Sequence, residues 1–383
     1  MSVFAELVGQ EPVVAQLRAA ALTAGDGSAA AMTHAWLFTG PPGSGRSVAA
    51  RAFAAALECP DAGCGTCRAC HTAFAGTHAD VDIVVPEGLH ILIDQAREIV
   101  RRASSAPTVG RWRVVVVEDA DRLEERTSNT LLKVLEEPPP RAVLLLCAPA
   151  ADDLPPTIRS RCRLVALRTP PTASIAEMLQ RRDRVTPEVA AFAAAAAQGH
   201  IGRARRLALD PEARRRRREV LSLPAAVTTV PACFLAAENL VGATAEEAAA
   251  VTAPLDAAET AALRGSLGDS GTGKAMPRGT AGAMKDLERR QKSRGTRSQR
   301  DALDRALADL AAFYRDVLVV QLGASVPAVN ADLRPAVARV AGTSSPETTL
   351  RRIDAVFASR AAIDANVPPL LAVESLTLAL YAG

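Results

Sequence analysis

From Ala35 to Ala148 the chain alternates short apolar runs with stretches whose apolar residues recur at helical spacing. Residues 35–39, 81–85, 114–117 and 143–147 read as strands, with 164–167 as a last one. The continuous apolar run at 114–117 suits a strand covered on both faces, as does 143–147, whereas 81–85 is a β-branched run that ends at Pro86. Between them, the Ala-rich stretch around 48–57 and residues 91–103 and 127–135 read as helices, the last stopped by Pro138-Pro139-Pro140. Such alternation predicts a parallel sheet with helices on both sides. After Leu167 the strands cease. Residues 172–209 read as a small helical unit broken by Gly199 and Gly202. From about residue 220 the periodicity is helical to the end, interrupted near 267–282, where Gly, Ser, Thr, Lys and Arg dominate and a solvated loop is expected. No internal repeat is visible.

With 383 residues the chain has room for two or three domains of about 150 residues. Hydrophobic residues make up 49% and charged residues 23%, a globular balance that excludes a disordered chain. The formal charge of +3, from 45 basic against 42 acidic residues, argues against a polyanion-binding surface over the whole protein and leaves room only for local patches. Two basic stretches stand out, Arg214–Arg218 and residues 285–300, each readable as a solvated helix face or as a DNA contact. Aromatic residues at 3% leave few rings for stacking single-stranded bases. No apolar run approaches the roughly 20 residues of a membrane helix, and the first fourteen residues hold no basic residue, so a cytoplasmic protein without membrane contact is expected.

Gly40-Pro41-Pro42-Gly43-Ser44-Gly45-Arg46-Ser47 follows a strand and opens a helix, the setting in which backbone N–H groups and a helix N-terminus face phosphate. Its alternative is a glycine-rich turn without ligand. The lysine of such loops is replaced by Arg46, whose planar fork is no compact point charge. At the end of the 114–117 strand, Glu118-Asp119 inverts the Asp-Glu order of a Mg²⁺-holding and a catalytic carboxylate. Each carboxylate's reach changes by about one methylene, and misplacement of about 1 Å can cost on the order of a hundredfold in rate. Weak or absent binding of ATP and Mg²⁺, without turnover, is expected. Cys59, Cys64, Cys67 and Cys70 place four thiols in twelve residues, a set that suits structural, tetrahedral Zn²⁺. Two local disulfides or an iron–sulfur cluster are the alternatives, and His71 adjoins the last cysteine as a possible competing ligand. Cys147, Cys162 and Cys233 read as core or near-core thiols.

These features, with Phe4-x2-Leu7-Val8-Gly9-Gln10-Glu11, Asn129-x-Leu131-Leu132-Lys133-x-Leu135-Glu136-Glu137-Pro138-Pro139 and Ser160-Arg161-Cys162, resemble the clamp-loader subunits of bacterial DNA polymerase III, within the AAA+ class, over about residues 4–165. The resemblance implies an α/β AAA+ fold, with a RecA-like parallel sheet of the P-loop NTPase type over residues 1–167 carrying the zinc insert at 59–70. A helical lid at 168–215 and an all-α collar at 216–383, with a flexible loop near 267–295, complete it. It also implies a hetero-pentamer with gamma/tau and delta subunits, which loads the sliding clamp onto primed DNA. The Ser-Arg-Cys arginine, here Arg161, would then act catalytically in trans at a neighbour's ATP site. Gly40, Gly43, Gly45, Arg46, Ser47, Glu118 and Asp119 would form a degenerate nucleotide site. A polar sensor is replaced by Ala148-Pro149, and the lid sensor arginine has only Arg203 as a substitute. These departures resemble the stator-like delta-prime type more than the ATP-hydrolysing gamma/tau type, which is the alternative.

Overall fold

The computed structural model describes residues 2–25, 32–86, 88–266 and 280–383. The chain divides into two compact units, Met1–Ala208 and Leu209–Gly383. In the first, strands β1 (Ala35–Thr39), β2 (Val81–Val84), β3 (Arg113–Val117), β4 (Ala142–Ala148) and β5 (Arg163–Ala166) form a sheet of order β2-β3-β4-β1-β5. Every pairing is parallel. Helices α1 (Glu11–Gly25), α2 (Arg46–Glu58), α3 (Arg68–Ala75), α4 (Ile93–Ala103), α5 (Glu125–Glu136) and α6 (Pro156–Arg159) join the strands, and α7 (Thr172–Asp183), α8 (Pro187–Ala197) and α9 (Ile201–Leu209) follow the last one.

Because side chains alternate along a strand, the sheet supports two cores. Trp36, Phe38, Val114, Val116, Val143 and Leu145 face α1 and α2. Ala35, Leu37, Val115, Val117, Leu144 and Leu146 lie with Ile99 of α4 and Leu131 and Leu135 of α5. Helix α2 is buried from Ala49 to Glu58 except at Arg51. Its alanines let it lie close to the sheet, and its one large ring, Phe53, meets Trp36 edge-on at 4.9 Å. Strand β5 lies at an edge of the sheet and pairs only with β1, which explains why Leu164, expected inside, is exposed.

Two features join distant segments of this unit. Gln10, buried at the N-terminus of the fold, donates from Nε2 to the Arg168 carbonyl at 2.6 Å and accepts the Arg168 N–H at 3.2 Å. It thereby closes the chain leaving β5 as another strand would. Asp80, at the entrance to β2, is fully buried and accepts N–H groups from Thr108, Val109 and Gly110. Burial alone would raise its pKa, but these donors overcome it and hold the carboxyl down at about 2.

The second unit is all helical: α10 (Pro211–Ala226), α11 (Val230–Ser266), α12 (Thr280–Gln321), α13 (Arg334–Thr343), α14 (Pro346–Asp364) and α15 (Pro369–Ala382). The buried seam Leu303, Leu307, Leu310, Tyr314 and Val317 of α12 repeats at three- and four-residue steps, as one face of a packed helix requires. It packs with Cys233 and Ala237 of α11, Val356 of α14 and Val373 and Leu376 of α15. Among the described residues no helix is long and apolar enough to cross a membrane.

Three expectations need correction here. The boundary expected between residues 215 and 216 falls inside α10, and the compact units part after Ala208. The loop expected near 267–295 is helical from Thr280 onward, while residues 267–279 lie outside the described residues. Its polar residues face α11: Arg294 pairs with Asp256 and Glu259 at 2.9 Å, and Gln291 donates to the Asp256 carbonyl. Nor is Arg214–Arg218 one solvated face. Arg217 is buried against Asp309 at 3.0 Å and Asn330, and Asn330 donates in turn to buried Asp316. Arg216 pairs with Asp210, Glu212 and Glu247, and Arg215 with Glu212 and Glu219.

Arg217→Ala strands a buried carboxylate and is expected to cost about 3–5 kcal/mol, whereas Arg215→Ala on the exposed side costs under about 1 kcal/mol; chemical denaturation of both variants measures the contrast. For Asp80 the folded pKa lies below the unfolded one, so its stabilisation is present above about pH 4 and is lost as the pH falls towards 2. Asp80→Asn is therefore expected to lower stability by about 2 kcal/mol at neutral pH, with the gap to the parent closing in acid denaturation profiles below about pH 4.

Candidate functional site: a phosphate loop, its carboxylates and a four-cysteine cluster

The parallel register ends β1 at Thr39 opposite Ala148 of β4, with Val117 of β3 opposite Leu146. The chain's chemistry gathers just beyond these ends, at the C-terminal edge where open α/β sheets bind ligands. Gly40 donates its N–H to the Pro149 carbonyl at 3.0 Å, and the loop turns through positive φ at Gly43 and at Gly45, which caps α2. A Cβ at Gly43 would lie within 2.4 Å of His200, so the residue that opens α9 rests on the apex of the loop. Backbone geometry and the α2 N-terminus are those of a phosphate cradle.

The side chains are arranged otherwise. Arg46 turns its guanidinium back onto the Gly40 carbonyl of its own loop. Glu118 accepts from Arg51 of α2 at 2.8–2.9 Å. Asp119 adopts a left-handed conformation, φ 48°, and lies 3.8 Å from Arg122. Burial, then the neighbouring Asp119 charge, raises the pKa of Asp121. Ala148, at the position where a polar sensor is absent, is fully buried. The residues thus fit a phosphate through the backbone, but their carboxylates are engaged by arginines instead of standing ready for Mg²⁺.

A cleft of about 1100 Å³ opens over this loop. It is lined by Arg46, Arg181, Arg182, Arg184 and Arg205, with Glu6, among others, so arginines outnumber acids there. Arg182 pairs with Glu6 at 2.8 Å, and Arg205 holds Asp183 through two nitrogens at 3.0 Å. Arg205, not the Arg203 expected from sequence, reaches the cleft from α9. Sequence reasoning also missed His200; the only local signal was its place between Gly199 and Gly202.

One wall of the cleft is the cysteine loop, through Gly65, Cys70, His71 and Phe74. The four sulfurs of Cys59, Cys64, Cys67 and Cys70 lie within 4.8 Å of one another, with separations of 3.6 Å, 3.7 Å and 4.0 Å for three of the pairs. None is disulfide-bonded. A tetrahedron with Zn–S bonds of about 2.3 Å has edges of about 3.8 Å, so the donor set fits this ion. The N–H groups of Cys64, Gly65 and Cys70 donate to sulfurs at 3.4 Å, orienting them as outer-shell donors do. Hydrogen bonds led by Thr66 lower the Cys64 thiol to about 6, while burial raises Cys67 and Cys70. His71 stands outside this set of four. Positive φ at Gly63 lets the loop meet the N-terminus, its carbonyl accepting from Val3 and Ser2. Cys147 and Cys233 are buried and Cys162 is half-buried, as expected of core or near-core thiols.

Arg161 stands away from this group. It precedes β5, and Arg163 pairs with Trp36, near the start of β1, whereas the phosphate loop follows the end of β1. From Trp36 to Gly40 is four positions, about 13 Å at roughly 3.3 Å each, and Arg161 lies further back still, in the turn before β5. Its guanidinium touches Glu136 at 2.6 Å, the Thr157 carbonyl at 2.7 Å and the Ser160 hydroxyl at 3.3 Å.

Residues 16–171 match the family described as DNA polymerase III, delta subunit. The chain is similar to DNA polymerase III subunit gamma/tau of Mycobacterium tuberculosis, 36% identical over 183 residues, which is 46% of this chain and 31% of that one. It is similar to DNA polymerase III subunit delta' of Pseudomonas aeruginosa, 39% identical over 161 residues, 40% of this chain and 49% of that one. Against DNA polymerase III subunit tau of Escherichia coli the identity is 33% over 163 residues, 42% and 24% of the two chains. The chain thus spans about half or less of the length of these relatives.

The cysteine geometry predicts one zinc per chain by elemental analysis of protein purified without added metal. Cys67→Ser, or stripping by a strong chelator, is expected to lower the melting temperature of the first unit by roughly 10 °C, the size expected when a few kcal/mol is lost from a domain of this length.

Proposed function

We propose, from the match of residues 16–171 to the family described as DNA polymerase III, delta subunit, and from the likeness to a delta' relative, that this protein is a delta-prime-type clamp-loader subunit that does not itself hydrolyse ATP. Its partners are gamma/tau and delta subunits in a hetero-pentamer of the bacterial cytoplasm, which loads the sliding clamp onto primed DNA. In this reading Zn²⁺ at Cys59, Cys64, Cys67 and Cys70 is structural, and ATP with Mg²⁺ binds weakly or not at all. The observation that carries it is the engagement of the loop's charged groups inside the chain: Arg46 with the Gly40 carbonyl and Glu118 with Arg51. A guanidinium folded onto its own loop does not stand over a γ-phosphate, and a carboxylate paired at 2.8 Å is not a free base. The position of Arg161 supports this reading, because it precedes β5 at the edge of the sheet opposite the phosphate loop, which follows β1. Arginines placed at such sites contribute about 10³–10⁵ in rate in other NTPases.

An ATP-hydrolysing subunit of the gamma/tau kind is the alternative, favoured by the intact backbone cradle and by 36% identity to a gamma/tau relative. Turnover of ATP by the assembly, reconstituted with its partner subunits, clamp and primed DNA, separates the two. The expected result is that Arg161→Ala slows turnover at the site it serves by about tenfold or more, while Arg46→Ala leaves the assembly unchanged. Damage from Arg46→Ala, or turnover by the isolated chain, favours the alternative.

A further inference from the structure

We propose that Glu136 is the positioning residue for Arg161, aiming its guanidinium at an anionic phosphate group presented by a neighbouring subunit; this rests on the reading of Arg161 given above. The placement begins with two proline-set helix ends. Glu137 precedes Pro138, which disfavours helical backbone there, and Glu137 indeed leaves the helix at φ −123°, ψ 70°. Glu136 is therefore the last residue of α5, and its carboxylate is delivered at the helix end. On the other side, Pro155 caps α6 and Pro156 opens it. That helix lasts four residues, and the Thr157 carbonyl within it takes the Arg161 Nη1 donor.

The backbone around Arg161 is pinned on its C-terminal side. Cys162 is half-buried and packs against the core beneath α5, and the Arg163 guanidinium lies 4.8 Å from the Trp36 ring centre. With the main chain fixed, the contact with Glu136 at 2.6 Å sets the direction of the Arg161 side chain.

A guanidinium carries five N–H donors. Nη1 donates to the Thr157 carbonyl and the Ser160 hydroxyl and Nη2 forms the ion pair with Glu136, which leaves Nε–H and an Nη2 proton for a two-pronged contact with a phosphate oxygen pair. About a third of the Arg161 side chain and half of that of Glu136 are exposed, so the pair contributes little to folding. What it supplies is orientation.

The test is steady-state ATP turnover by the reconstituted assembly, with Glu136→Ala and Glu136→Gln each placed in Arg161 and Arg161→Ala backgrounds. Glu136→Ala is expected to lower kcat by about tenfold, in line with what small misplacement of a reacting group costs, with KM for ATP, melting temperature and assembly unchanged. Glu136→Gln keeps an acceptor oxygen and is expected to lose less. Both effects are expected to vanish once Arg161 is alanine, which a purely structural role for Glu136 would not produce. A Glu136→Ala effect of equal size in both backgrounds overturns the inference, as does an inert Glu136→Ala beside a damaging Arg161→Ala. An inert Arg161→Ala overturns the reading of Arg161 itself and this inference with it.

Discussion

The parallel register of β1 with its two neighbours is the constraint from which the arrangement of function follows. Thr39 lies opposite both Ala148 and Ala166, so three strands end together and their following loops meet at one edge of the sheet. The same register carries the residues before β5 to the opposite edge, where Arg161 stands. A one-residue slip would exchange the two cores, because every side chain on a strand changes face with it. The aromatic contact of Trp36 with Phe53 on one side and the aliphatic packing of Leu37 and Leu146 on the other make that slip costly. Loop and arginine are thus separated by sheet polarity, and one chain presents a phosphate cradle at one edge and a cation at the other.

Within the cradle, electrostatics has been reorganised. A P-loop concentrates N–H donors and a helix dipole on one spot, so bringing in another positive group demands an anion or an acceptor nearby. Arg46 finds the Gly40 carbonyl, Arg51 finds Glu118, and Arg122 stands near Asp119. The two arginine–carboxylate pairs balance charge within the chain, and the Gly40 carbonyl gives the Arg46 guanidinium an acceptor. The fold survives because its stability lies in the two sheet cores and not in the loop, and those cores keep the strand ends aligned whether or not the loop is occupied.

Much of this was legible locally. Buried strands show as apolar runs, the 138–140 prolines end α5 as their sequence requires, and the cysteine spacing anticipates four sulfurs at tetrahedral separation. What escaped were partnerships across long stretches of sequence. Arg217 resembles its exposed neighbours Arg215 and Arg218 in sequence, and only Asp309, 92 residues on, and Asn330, 113 residues on, make it a buried clamp. The polar stretch after Thr280 looks like loop because its acidic partners, Asp256 and Glu259, sit on another helix. Gln10 gave no sign that it would bind both backbone groups of Arg168, since that contact spans 158 residues. Pattern reveals what a residue shares with its near neighbours; burial of a charge is decided by residues elsewhere in the chain.

The cysteine loop raises a related question: why a cradle with engaged charges keeps so built a wall. Gly63 accepts from the first residues of the chain while Gly65, Cys70 and Phe74 line the cleft, so the same few residues tether the N-terminus and shape the cavity. Helix α3 has only eight residues, too few to hold itself in water. A metal bound by four thiolates would fix that helix against α2 at a small cost in chain length, and its effect would be mechanical. Rigidity of this kind would suit the proposed reading, in which the chain presents fixed edges to neighbouring subunits whatever its own loop holds. Loss of the cysteine loop would then be felt as loosened geometry at the cleft and the N-terminus before it was felt as chemistry.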